Sequence, residues 1–148
     1  MIEVNNLVRA RVSKKFIRQT LNKALKLVQP RVPLKGATIS VALADEATIK
    51  NLNKKYRKVN KVTDVLSFGS LGGRPQKGPM QEGAEIVVCW PVIKKQAKNF
   101  DHSIREELKV ILVHGLLHLL GWQDDTKKER QKMERKTNKV IEHITHNT

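Results

Sequence analysis

The chain has 148 residues, a single cysteine, 4% aromatic residues, and 29 Lys and Arg against 14 Asp and Glu, a formal charge of +15. This length suits one domain, residues 1–148, built around one core. With only Cys89 present, an intrachain disulfide and a Cys-built zinc cluster are excluded, and no stretch reaches the ~18 apolar residues of a membrane span. The cation excess favours a polyanion as partner, nucleic acid before an anionic membrane, because the basic helices lack an exposed aromatic face.

In chain order, MIEVNNLV reads as a short first strand. It lacks the basic-then-apolar pattern of a secretory leader, so a cytoplasmic protein is expected. No acid stands between Val4 and Ala44, a stretch that carries Arg9, Arg11, Lys14, Lys15, Arg18, Lys23, Lys26, Arg31 and Lys35. Phe16, Ile17, Leu21, Ala24, Leu25 and Val28 follow the helical period from Ser13 to Val28, with Pro30 as the stop. Residues 37–43, ATISVAL, alternate as a strand does, and Asp45 caps a second helix whose Ile49, Leu52 and Tyr56 share a face. Lysines gather at the C-terminal end of that helix, where its dipole favours them.

Two further short strands are expected at 63–68, TDVLSF, and 84–89, AEIVVC. The stretch between them, residues 69–83, has five glycines and two prolines and reads as a long loop. Pro91 opens a short helix through Ala97. Ser103 and Glu106 have capping-box spacing before LKVILVHGLLHLL, a helix apolar nearly all round and therefore buried. Gly121 supplies its left-handed stop, and Thr126 with Glu129 repeats the capping box at the start of a charged C-terminal helix. Helices interleaved among a few strands give a small α+β or α/β sheet packed by helices.

The chemistry concentrates in HGLLHLLGWQDD, residues 114–125. At i and i+4 of a helix, His114 and His118 stack one above the other and can bind one ion. A single buried histidine is commonly satisfied by a neighbouring carbonyl. Two in a Leu-rich helix present up to four ring nitrogens, each costing about 1–3 kcal/mol if unpaired, and a metal satisfies two at once. The turn at Gly121 brings Asp124 or Asp125 back as third ligand, leaving an open position of the kind catalytic zinc sites keep. His102, His143 and His146 read as ordinary surface residues. The HxxxHxxGxxD frame is shared with zinc proteases whose general base is a glutamate directly after the first histidine. Here that position is Gly115, so the peptidase reading lacks its base, and the basic surface suits a phosphodiester better.

HGLLHLLGWQDD, LNKKYRKVNKVTDVLSF and AEIVVCWPVIKKQA together resemble the YbeY family of bacterial metal-dependent endoribonucleases of ribosomal RNA maturation, from about Ala37 to Glu134. The resemblance implies a zincin-like α+β fold with a small mixed sheet and a buried central helix carrying His114 and His118. It implies zinc or another divalent transition metal, and RNA and ribosomal particles as partners. Asp124 stands where the family has its third histidine ligand, and Arg57 matches the family's arginine. The expected function is a single-strand-preferring endoribonuclease of ribosomal RNA maturation or ribosome quality control. A zinc metallopeptidase and a non-catalytic RNA-binding assembly factor are the alternatives. Asp124 is the expected ligand, whereas Asp125 is expected to support the N-terminus of the following helix.

Overall fold

A computed structural model describes residues 1–28, 38–69, 71 and 83–146. Within it β1 (Ile2–Asn6) leads through α1 (Lys14–Val28) to β2 (Ile39–Ala44), and α2 (Glu46–Arg57) leads to β3 (Val65–Gly69). Strand β4 (Ala84–Cys89) is followed by α3 (Trp90–Asn99), α4 (Ile104–Leu119) and α5 (Lys127–His146). The sheet runs β1-β2-β4-β3, with the first three strands parallel and β3 antiparallel to β4. It is the mixed sheet expected. Pro30, Arg31, Lys35, Ala37 and most of the glycine-rich loop (70 and 72–82) lie outside the described residues.

Both faces of the sheet are covered, so β4 reads as an apolar run rather than an alternation. Ile86 and Val88 face a core shared with α1, α4 and α5, while Val87 and Cys89 face a smaller one beneath α2 with Ile49, Leu66 and Phe68. Helix α4 is the central element. Its Leu108, Leu112, Leu116, Leu117 and Leu119 are fully buried, each contributing about 1.5–3 kcal/mol of burial.

The start signals behave as their chemistry requires. Asp45 accepts the Thr48 N–H at 2.8 Å, and Ser103 and Glu106 exchange bonds in a capping box. Thr126 and Glu129 do the same for α5. One expectation needs correction. His102 is no ordinary surface residue, since its Nε2 lies 2.8 Å from Oε1 of Glu107, a buried acid on the first turn of α4. Thr126 caps α5 as expected, and the Asp125 carbonyl just before it accepts from Arg130 Nη1 at 3.2 Å.

No helix among the described residues is long and apolar enough to cross a membrane.

Candidate metal centre

Helix α4 lies on β3 and β4 with Gly115 against the sheet. A Cβ there would sit 3.0 Å from Ile86 Cγ2, 3.3 Å from Ser67 Oγ and 3.4 Å from Val65 Cγ2. Close approach is the reason for the glycine, and the Ser67 hydroxyl donates to the Gly115 carbonyl at 2.9 Å across the same contact. With residue 115 directed at the sheet, His114 and His118 are left at the mouth of a cleft.

The helix ends in a Schellman motif: Gly121, at φ +98°, donates to His118 O, and Trp122 donates to Leu117 O. This reversal returns Asp124 over the histidines. Its Oδ2 lies 3.4 Å from His118 Nε2 and 3.6 Å from His114 Nε2, and the two ring nitrogens are 3.1 Å apart. A tetrahedral ion about 2.0–2.2 Å from each donor requires donors about 3.3–3.6 Å apart, so the triad lies within a few tenths of an ångström of three corners of such a site.

The protonation pattern also fits. A carbonyl only accepts, so the 3.0 Å contact between His118 Nδ1 and Trp122 O puts a proton on Nδ1 and turns Nε2, the nitrogen that would bind a metal, toward the triad. Burial, and next the neighbouring His118 ring, hold the His114 imidazole below the usual histidine range, against the opposing pull of Asp64 and Asp124. A neutral imidazole is the form that binds metal. The three side chains keep 25–39% exposure, so a further ligand can enter from solvent.

Arg57, the last residue of α2, reaches the same cleft of about 260 Å³, which Asp64 and Ser67 also line. Because Asp64 O accepts from Cys89 N, the carbonyls of alternate residues 64, 66 and 68 face β4, and that of Ser67 points to the outer edge. Arg57 Nη2 donates to it at 2.7 Å, with the guanidinium 5.8 Å from the Phe68 ring centroid. The four residues singled out from the sequence, Arg57, His114, His118 and Asp124, thus meet in one place.

Three contributors escaped sequence reasoning. Ser67 holds both Gly115 and Arg57. Asn53, buried on the stripe begun by Ile49, donates to Lys61 O and fixes the turn after α2. A polar residue on an apolar stripe was its signal. Asp64 lies within electrostatic reach of His114, and nothing in its strand-like context pointed there.

A profile of the family described as endoribonuclease YbeY matches residues 3–145. An endoribonuclease YbeY of Persephonella marina is 34% identical over 134 residues, 90% of this chain and 84% of that protein. That of Pelotomaculum thermopropionicum is 37% identical over 107 residues, 71% and 70% of the two chains. The solution structure of a Thermotoga maritima protein matches with a TM-score of 0.62 and 26% identity, over 97% of this chain and 89% of that one.

Proposed function

The chain belongs to the YbeY endoribonuclease family, and we propose that it is a metal-dependent endoribonuclease cutting ribosomal RNA during maturation or quality control of ribosomal particles in the cytoplasm. The observation that carries this reading is the convergence of His114, His118 and Asp124, at 3.1–3.6 Å spacings, with Arg57 in one cleft.

In this reading His114, His118 and Asp124 hold zinc or another divalent transition metal. Such an ion, when bound, supplies Lewis-acid chemistry, polarising a phosphoryl oxygen and acidifying water. Arg57 positions the phosphodiester. Anchored through Nη2, it keeps its remaining N–H groups for charge that grows on the phosphate oxygens in the transition state. Trp122 fixes the His118 tautomer through its carbonyl. The free, buried Cys89 suits a reducing compartment.

A peptidase reading fares worse on two counts. Position 115 faces Ile86 at 3.0 Å and has no room for a glutamate base. The Ser67 carbonyl, on the outer edge of β3 where an extended peptide would add as a strand, is taken by Arg57. Incubation of the pure protein with labelled RNA and with casein, with and without chelator, tests the proposal. Chelator-sensitive RNA cleavage is expected, casein cleavage would establish the peptidase, and RNA binding without cleavage the assembly factor.

A further inference from the structure

A second cleft, of about 570 Å³, shares Arg57, His118 and Asp124 with the first and is otherwise lined by Tyr56, Lys58, Trp122, Gln123 and Asp125. Its volume falls in the range of small-molecule sites, roughly 300–1,000 Å³, and admits a nucleotide. We propose that it is a nucleobase subsite, in which one unstacked base lies on the Trp122 indole while Arg57 and Lys58 hold the adjoining phosphates.

The backbone of Trp122 is fixed, its main-chain N–H donating to Leu117 O and its main-chain carbonyl accepting from His118, and the indole packs on the edge of the core. A base seated there is therefore referenced to the residue that orients one metal-site histidine, which sets the distance from base to reacting phosphate. Tyr56 serves as a wall rather than a second platform, because its ring is already engaged in a T-shaped contact with Phe68, centroids 5.5 Å apart, and met by the Lys55 ammonium at 5.2 Å. Lys58 is held at the rim by its left-handed backbone, φ 58°, with its N–H on Asn53 O. The two cations stand on the α2 side and Asp124 and Asp125 on the elbow, so a phosphate is drawn to the α2 side. Every base has a π-face, so such a platform selects an exposed base rather than a sequence. Bases within a duplex are covered by their neighbours, so the cleft admits loops, bulges and ends.

The inference rests on the endoribonuclease reading of the site, and an equilibrium binding experiment separates the two. Full-length protein, in chelator to suppress cleavage, is titrated with a single-stranded oligouridylate carrying one 2-aminopurine, and with the same RNA carrying one abasic residue instead. Binding should quench the fluorophore, and the abasic RNA should bind more weakly by roughly five- to hundredfold, the usual weight of one base on an aromatic ring. Trp122→Leu keeps apolar packing at the elbow and should lose the quench, binding intact and abasic RNA alike while melting close to the parent. Equal binding of intact and abasic RNA by the parent protein, a result that needs no variant, overturns the subsite and leaves the endoribonuclease reading standing. An undiminished preference for intact RNA in a folded Trp122→Leu also overturns it. Absence of any RNA binding by the parent also overturns the subsite, whereas only absence of chelator-sensitive RNA cleavage overturns the endoribonuclease reading.

Discussion

At the scale of single residues, the sharpest test concerns Asp124. On the proposed assignment, a carboxylate as third ligand in place of an imidazole would lower the net charge of the site by one, and an oxygen donor would shift preference toward harder ions such as manganese. Asp124→Ala is expected to lose metal, Asp125→Ala to keep it, and Asp124→His to keep or tighten zinc. Metal content of the three purified variants decides, and a full equivalent in Asp124→Ala beside an empty Asp125→Ala would reverse the assignment. Arg57→Ala should retain its metal and fold, giving up one part-buried hydrogen bond to Ser67 O, while RNA cleavage falls by a factor on the order of 10²–10³. Arg57→Lys should rescue poorly, because an ammonium cannot hold a carbonyl and a phosphate in one planar fork. Unchanged turnover in the alanine variant would reduce Arg57 to a strand-edge tether.

His114 also sets a pH dependence. Its folded pKa is depressed by burial and by His118, so the unfolded chain takes up a proton first as pH falls through about 6.5. The metal-free protein should therefore lose stability as pH drops below that value, with no contribution from this group above it. Melting temperatures of metal-free parent and His114→Gln between pH 7.5 and 5 report it, the variant showing the shallower acid loss. Parallel curves would mean that the histidine does not resist protonation.

At the scale of elements, the site depends on how closely α4 approaches β3 and β4. Gly115→Ala sets two effects against each other. Alanine gains about 1 kcal/mol of helix propensity, whereas an added methyl in a filled core costs about 1–3 kcal/mol. The atoms it meets belong to Ile86, Ser67 and Val65, two of them β-branched and all in paired strands, so they cannot swing aside. Crowding should win. The variant is expected to melt below the parent and to bind zinc more weakly, because lifting α4 displaces both histidines together. A higher melting temperature with unaltered metal affinity would show that the contact relaxes at no cost.

For the whole molecule, the charge has a geography that the count of +15 lacks. Exposed Lys54, Lys55, Lys58 and Lys61 gather at the end of α2, the same end whose Arg57 enters the metal cleft, whereas Lys14, Lys15, Arg18 and Lys26 coat α1 across the sheet from α2. RNA affinity should fall steeply with salt through counterion release, at about 0.7 log unit per log unit of salt for each single-strand phosphate contacted. Replacing Lys54, Lys55 and Lys58 with Gln should shallow that slope by about 2, and replacing three cations of α1 should leave it nearly intact. Equal losses from the two sets would mean that the charge acts as a diffuse cloud.

The sequence by itself determined most of the elements and singled out the paired histidines, because those signals are local. Capping boxes at Ser103 and Thr126, the Asp45 cap, the left-handed Gly121 and the four-residue spacing of His114 and His118 act within one or two helical turns, where backbone geometry leaves few alternatives. What only the tertiary structure decided involves partners far apart in the chain. Gly115 is required by Ile86 and Val65, Arg57 is anchored by a carbonyl whose outward direction follows from the register of β3 on β4, and His102 is drawn from the surface by Glu107. Asp64 illustrates the limit: its neighbours in sequence are those of a strand, and its influence on His114 exists only because α4 crosses that strand. The physical reason is range: a cap or a helical spacing is read within a few residues, whereas register and close approach arise only when the sheet and α4 have buried each other.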